Sequence, residues 1–177
     1  ALVALDRSEE ACEIWQELAV GADAVAKSAA LGMLDQLKLE LQQPEFLTAV
    51  EQLAEQHGWL LQQVKTAKQP LSAFEHSLLE EAIASREGDQ AEFSLALMNL
   101  ALNHGYQSPW LQDNRARALV ALDRSEEACA AWRHIASASG SAEIQTMAAK
   151  LLAHHEPQAE RQRLHREHDV QIHRALT

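Results

Sequence analysis

Apolar residues recur every three or four positions along most of the chain, which is the spacing of one face of an α-helix. Two stretches show this spacing most clearly: residues 45–57, with Phe46, Leu47, Val50, Leu53 and Ala54, and residues 90–104, with Phe93, Ala96, Leu97, Leu100 and Ala101. The sequence has no Asn-Gly or Asp-Gly hairpin signal and no sustained alternation of polar with β-branched residues, so nothing in it predicts a strand. The chain is therefore predicted to be all-α.

Most of the glycines and prolines lie between these periodic stretches, where they predict helix ends. With Pro44 and Pro157 taken as breaks, helices are predicted near 8–20, 23–42, 45–57, 71–87, 89–104, 109–122, 125–138, 141–155 and 157–175, and a further short one over 59–68. Helix starts are predicted at Ser72 and Asp89, each followed three residues later by Glu as in a capping box, and at Ser108 before a proline. The short connections predict that successive helices are antiparallel neighbours.

The sequence also contains an internal repeat. Residues 1–12, Ala-Leu-Val-Ala-Leu-Asp-Arg-Ser-Glu-Glu-Ala-Cys, recur without change at 118–129, and Trp15 matches Trp132 beyond them. The predicted turns are spaced 37, 45 and 35 residues apart, at Asp6, Gln43, Gly88 and Asp123. A unit of about 35 residues, with an insertion near 58–70 in one copy, explains this spacing.

This unit resembles the tetratricopeptide repeat (TPR), which consists of two antiparallel helices in about 34 residues. The similarity is greatest over 109–142, where small and bulky residues stand at the family's packing positions: Ala116, Leu119, Ala128, Trp132 and Ile135. The resemblance implies a right-handed superhelix of antiparallel helical hairpins, with a repeat array over 1–156 and a polar capping helix over 157–177. Other solenoids of helical hairpins remain alternatives, as does docking of the last helix on a neighbouring copy or domain.

In TPR proteins the first helix of each pair lines a concave surface that grips an extended peptide or a helix of a partner. Carried onto this sequence, the resemblance nominates ten residues for that surface: Trp110, Asp113, Asn114, Arg117 and Ala121 in one unit, and Glu75, Leu78, Ala82, Ser85 and Arg86 in the preceding unit. The lysine and asparagine pattern with which some members bind a terminal carboxylate is not evident, so a carboxylate-terminated ligand is not favoured. The implied function is a non-enzymatic protein-interaction module that needs no cofactor.

The charge of the chain narrows the class of partner. Fifteen Lys and Arg stand against 26 Asp and Glu, a formal net charge of −11, which argues against a nucleic-acid surface and favours a basic protein partner. No stretch approaches the roughly 18 uncharged apolar residues of a membrane span, so we expect no membrane partner. A cytoplasmic location is a separate expectation. No Gly-rich phosphate loop, His-Glu-x-x-His motif or nucleophile elbow is present, which favours binding over catalysis.

The first residue is Ala1 rather than a methionine, and the opening five residues match the end of a helix. We therefore expect a fragment of a longer protein. Two further hypotheses follow from that expectation. The array is a substrate-presenting or regulatory arm of a larger enzyme, for example a bacterial transferase, or it is a structural repeat protein that forms homo-oligomers through the exposed end of its solenoid.

The tryptophans and cysteines suggest ligand or redox chemistry, but their positions favour a structural role. Trp15 and Trp132 occupy matching places in the repeat, which predicts core packing for both. Cys12 and Cys129 are also copies, and copies in separate repeats lie far apart, so both are predicted to be reduced, buried thiols. Trp59 is predicted to be a hydrophobic plug for the insertion.

Two groups of titratable side chains can also be interpreted either as functional sites or as ordinary surface residues. His165, His168 and Asp169 are spaced i, i+3, i+4, which places them on one helical face where they could hold a divalent metal. A solvated polar terminal helix is the favoured interpretation, so no metal is expected. The pair Glu80–Glu81 is likewise predicted to be a solvated helix face rather than an acid/base dyad.

Overall fold

The structure is a computed structural model that describes residues 8–21, 24–64, 71–138 and 141–176. Within these ranges it contains seven helices and no strand: α1 Ser8–Gly21, α2 Ala24–His57, α3 Leu71–Glu87, α4 Ala91–Asn103, α5 Pro109–Ala121, α6 Ser125–Ala138 and α7 Ala142–Leu176. The all-α class predicted from the periodicity is confirmed. The predicted turn at Asp6 and the end of the insertion, residues 65–70, lie outside the described residues.

Four helices end with the same backbone motif, in which one residue adopts a left-handed conformation. These residues have positive φ: Gly58 at 65°, Asp89 at 61°, Gly105 at 96° and Asp123 at 57°. The next amide donates to the carbonyl five residues earlier at 2.8–3.2 Å: Trp59 to Ala54, Gln90 to Ser85, Tyr106 to Ala101 and Arg124 to Leu119. This Schellman arrangement satisfies carbonyls that the end of a helix leaves free. Each of these turns is therefore fixed by a Gly or Asp that tolerates the left-handed region.

The helix breaks predicted at Pro44 and Pro157 are wrong, because α2 and α7 continue through them. A proline inside a helix removes one backbone hydrogen bond and costs about 3 kcal/mol. Packing on both sides of the proline offsets that cost: α2 buries Leu37 before Pro44 and Phe46 after it, and α7 buries Ala148 before Pro157 and Ala159 after it. The predicted C-terminal capping helix is therefore the second half of α7.

Helix starts agree with the predictions in only one of three places. The hydroxyl of Ser108 accepts a hydrogen bond from the amide of Trp110 at 3.3 Å at the start of α5, as predicted. Ser72 instead lies inside α3, and Asp89 occupies the left-handed turn after it. The capping boxes predicted at these two residues are wrong. At Ser72 the helix has already begun at Leu71, and Asp89 adopts the left-handed conformation that ends α3 rather than capping α4.

Consecutive helices pack against each other from α1 to α2 and from α3 through α7, while α2 also packs against α4 and α3 against α5. One core lies among α2 to α5 and contains Phe46, whose ring centre is 5.9 Å from that of Phe74 and 5.2 Å from that of Tyr106. The other lies among α4 to α7 around the fully buried Trp132. Core packing is thus confirmed for Trp132, whereas Trp15 is only partly buried. None of the described helices combines the length and apolar character that crossing a membrane requires.

Glu81 is fully buried, so the prediction that it belongs to a solvated face is wrong. Its Oε1 accepts a hydrogen bond from the indole Nε1 of Trp59 at 2.6 Å. Its Oε2 accepts three more from the successive backbone amides of residues 62–64, at 2.9, 2.7 and 3.3 Å. A carboxylate with four donors can remain buried, because these bonds replace its lost hydration.

The same bonds determine the shape of the insertion. Amides that point at the Glu81 carboxylate are not available for a helical ladder, so the described part of the predicted short helix, residues 59–64, is irregular. The ring of Trp59 also stacks on Phe93 with their centres 5.9 Å apart. Trp59 therefore joins the insertion to the first core, as predicted.

Replacement of the prolines tests the continuity of α7. Because Pro157 lies inside α7, Pro157→Ala restores a backbone donor and raises the free energy of unfolding by about 1–3 kcal/mol. Pro109 occupies the first helical position, where proline costs little, so Pro109→Ala changes this free energy by less than about 0.5 kcal/mol. Urea unfolding followed by circular dichroism measures both values. A Pro157→Ala variant no more stable than the wild type would show that the helix breaks at this residue.

Candidate functional site

Four of the predicted site residues form one stripe along α5. Trp110, Asn114, Arg117 and Ala121 are spaced four, three and four residues apart, which places them on one face of the helix. Trp110 is 42% exposed, Ala121 is exposed and the side chain of Arg117 is 38% exposed. Trp110, Arg117 and Ala121 are therefore the residues of this stripe that a ligand can reach.

Asp113 lies beneath that stripe and is only 2% exposed, so the prediction that it contacts a ligand is wrong. Its Oδ1 accepts a hydrogen bond from the indole Nε1 of Trp132 at 2.8 Å. Its Oδ2 accepts another from Nε of Arg117 at 2.7 Å. Asp113 therefore fixes α6 against α5 with one oxygen and positions a surface guanidinium with the other.

Arg86 and Asn114 link the same stripe to α3. The guanidinium of Arg86 donates to Oδ1 of Asn114 at 3.2 Å, and Nδ2 of Asn114 donates to the carbonyl of Trp110 at 3.0 Å. Burial, followed by repulsion from Arg117, lowers the pKa of Arg86 from its usual value. Asn114 is 7% exposed, so it acts as a bridge between helices rather than as an open contact residue.

The remaining residues predicted on α3 mostly face the core. Leu78, Ala82 and Ser85 are fully buried, because α3 packs against both α4 and α5, and their assignment to a binding surface is wrong. Glu75 is partly buried. Together with burial, which is the larger cause, its charge raises the pKa of Tyr106 to about 12.

A groove of about 600 Å³ opens between α5 and the first half of α7. Its lining is mostly apolar and is formed by Arg117, Ala142, Glu143, Thr146, Met147, Lys150 and Leu151. Arg117 is the predicted residue that reaches it, and the α7 residues were missed. The repeat could have predicted these α7 residues, because α7 follows α6 in the chain as α5 follows α4.

A histidine of α7 packs against the tryptophan of the second core. The ring of His155 stacks on that of Trp132, with centres 5.1 Å apart and planes inclined by 23°, and the ring of His154 meets it edge-on at 4.8 Å. Burial lowers the pKa of His155 from its usual 6.5, and His154 and Arg117 act in the same direction. Trp132 therefore contacts both helices that form the walls of the groove.

The predicted metal ligands do not converge. His165, His168 and Asp169 are exposed on the second half of α7, and the described residues contain no group of three His, Cys, Asp or Glu side chains arranged to hold a metal ion. Other charged side chains of this segment form ion pairs: Arg166 pairs with Glu126, and Arg163 pairs with Glu160. The second half of α7 is thus a solvated helix whose charges pair with each other and with α6.

Cys129 is a free, buried thiol, as predicted. Burial raises its pKa above the usual value, which keeps it in the unreactive thiol form. The side chain of Cys12 lies outside the described residues.

No family model, curated protein or solved structure that was compared with the chain matches it.

The stacked His155 predicts a pH dependence. The folded protein disfavours the protonated imidazole, so His155 contributes stability above its usual pKa of 6.5 that is lost as pH falls through the lowered folded value. We expect the free energy of unfolding to fall more steeply from about pH 7.5 to 5 in the wild type than in His155→Gln. Urea unfolding across this range measures the slopes. His134→Gln, which changes an exposed histidine of α6, should keep the wild-type slope, and equal slopes in the wild type and His155→Gln would contradict the prediction.

Proposed function

We propose that this protein is a non-enzymatic protein-interaction module and that the groove between α5 and α7 binds an extended or helical segment of a partner protein. The observation that carries the proposal is the groove itself: an apolar floor with Met147 and Leu151, bordered by the cations Arg117 and Lys150. Ligand sites combine apolar surface with a few polar groups that set orientation in this way.

The TPR-like architecture is part of the proposal. Packing of α3 against both α4 and α5 is what stacked hairpins require, since each unit must bury one face against the next. The turns after α3 and α5 use the same motif around Asp89 and Asp123. In a right-handed superhelix of such units, α3, α5 and α7 would be the first helices of successive hairpins and would line one concave surface.

The groove is held in place before any ligand binds. Arg117 is fixed by Asp113, and Met147 and Leu151 pack against the second core. A preformed site loses less side-chain entropy on binding than a flexible one. Both oxygens of Asp113 accept hydrogen bonds, one from Arg117 and one from Trp132, so this carboxylate positions Arg117 at the groove.

The charges that line the groove indicate the chemistry of the bound partner segment more closely than the net charge of the chain does. The chain carries −11 overall, which attracts basic partners at long range. The groove itself has two basic residues, Arg117 and Lys150, and one acidic residue, Glu143. A segment with an apolar side chain for the floor and an acidic group near the two cations fits the groove best.

Blocking the groove tests the proposal. Peptides selected on the wild-type protein from a random display library, then synthesised, serve as probes for Thr146→Trp and Ala149→Trp. Thr146 lines the groove and is exposed, so a tryptophan there fills the groove without entering the core, whereas Ala149 is exposed on the same helix but outside the groove. We expect Thr146→Trp to weaken binding at least about tenfold and Ala149→Trp to leave it unchanged. Equal binding to both variants would place the peptide elsewhere and overturn the proposal.

A further inference from the structure

Two guanidinium groups lie close together where α3 packs against α5. Arg86 is in the last turn of α3, and its Nη1 donates to Oδ1 of Asn114 on α5 at 3.2 Å. Asn114 precedes Arg117 by three residues, which places both on one face of α5. Burial is the largest cause that lowers the pKa of Arg86, and repulsion by Arg117 is the next. The bond to Asn114 therefore holds one cation beside another.

Arg86 lacks a close counter-charge. Its hydrogen-bond partner Asn114 is neutral, and Arg86 forms no salt bridge with any described residue. The carboxylates Glu87 and Asp113 each attract Arg86 less strongly than Arg117 repels it, and both oxygens of Asp113 already accept hydrogen bonds. A partly buried cation without a close counter-charge lowers stability, and a bound anion would restore the balance.

Arg115 offers a comparison within the same helix. Like Arg86 it is partly buried and donates to an asparagine, through Nε to Oδ1 of Asn99 at 2.6 Å. Its charged neighbour, however, is the carboxylate Glu127, whose pKa is lowered by a hydrogen bond from Arg124 and, to a smaller extent, by Arg115. The surroundings of Arg86 thus contain a second cation where those of Arg115 contain an anion.

Arg117 is held in place and remains accessible. Its Nε donates to the buried carboxylate of Asp113 at 2.7 Å, and its side chain is 38% exposed. Neither of its terminal nitrogens makes a hydrogen bond to a described residue. The planar guanidinium group can bind two oxygens of a carboxylate or phosphoryl group at once, so the terminal nitrogens of Arg117 are available to a ligand.

We propose that Arg86 and Arg117 form an oxyanion subsite beside the groove and that this subsite binds an acidic or phosphorylated side chain of the partner segment. The subsite rests on the proposed function for the segment that carries this group. The groove lies on the α7 side of Arg117 and Arg86 lies on its α3 side, so a segment that leaves the groove across α5 reaches the subsite next. Carboxylate and phosphoryl groups share the chemistry that guanidinium groups bind, and the phosphoryl group carries a larger charge.

Inorganic phosphate tests the subsite without a peptide. The full chain is titrated with phosphate at constant pH and ionic strength, with chloride as the balancing anion, and NMR follows the Nε–H signals of Arg86 and Arg117. We expect both signals to shift along one saturable curve at about millimolar phosphate. This wild-type measurement depends on no substitution. Shifts that do not saturate, or that follow different curves at the two arginines, would overturn the proposal.

Replacement of single arginines tests which cations form the subsite. Arg86→Gln removes one of the two guanidinium groups and should weaken phosphate binding at Arg117 at least about fivefold. Arg115→Gln is the matched control, because Arg115 has a similar burial and an asparagine partner, and it should bind phosphate as the wild type does. Equal phosphate binding in both variants would contradict the role of Arg86.

Peptides test whether the partner segment supplies the oxyanion. In peptides selected on the wild type, each acidic residue is replaced in turn by glutamine and by phosphoserine. We expect one position where glutamine weakens binding to the wild type at least about fivefold but hardly changes binding to Arg86→Gln. Tighter binding of phosphoserine there would identify the phosphoryl group as the preferred ligand, and equal binding would identify the carboxylate as sufficient. Glutamine replacements that weaken both proteins equally would overturn the proposal.

The subsite and the groove can fail separately. Thr146→Trp fills the groove without changing Arg86 or Arg117, so it should bind inorganic phosphate as the wild type does. If Thr146→Trp and Ala149→Trp bound the selected peptides equally while phosphate still saturated at Arg117, the groove proposal would fail and the subsite would stand. If Thr146→Trp blocked the peptides but phosphate did not bind the wild type, the subsite alone would be overturned.

Discussion

Asp113 imposes the constraint on which the second core and the groove both depend. A buried carboxylate is tolerated only where partners replace its lost hydration, and Asp113 has two, the indole of Trp132 and the guanidinium of Arg117. The first bond fixes the register of α6 against α5, and the second holds a cation at the rim of the groove. Because Asp113 is bonded to both side chains, a movement of Arg117 would leave one oxygen of a buried carboxylate without its donor, which links the rim of the groove to the core.

The first core uses the same chemistry around Glu81, which accepts the indole proton of Trp59 and three backbone amides. There the carboxylate orders an irregular segment instead of aligning two helices. In both places a buried acid is paired with a tryptophan, whose ring fills the core while its N–H reaches the charge. Each core therefore buries one carboxylate together with the tryptophan that donates to it.

Local sequence signals were sufficient where a residue's own neighbours decide its conformation. Ser108 begins α5 as predicted, and Gly58 and Gly105 end helices, since capping and left-handed turns depend on adjacent residues. These local signals failed where residues distant in the sequence determine the conformation or burial. Continuation through Pro44 depends on cores assembled from other helices, and burial of Glu81 depends on an insertion about 20 residues away. From spacing alone, Leu78 and Trp110 were both predicted to lie on the binding surface. Packing of α4 and α5 on α3 buries Leu78, whereas Trp110 is exposed.

Hydrogen exchange of the indole protons, followed by NMR in the full chain, tests the role of Asp113 most directly. In the wild type the indole protons of Trp132 and Trp59, each bonded to a buried carboxylate, should exchange at least about 100-fold more slowly than that of the exposed Trp110. In Asp113→Ala, exchange at Trp132 should approach the rate at Trp110 while Trp59 stays protected by Glu81. If Trp132 remained as protected in Asp113→Ala as in the wild type, the claim that this carboxylate holds α6 against α5 would be contradicted.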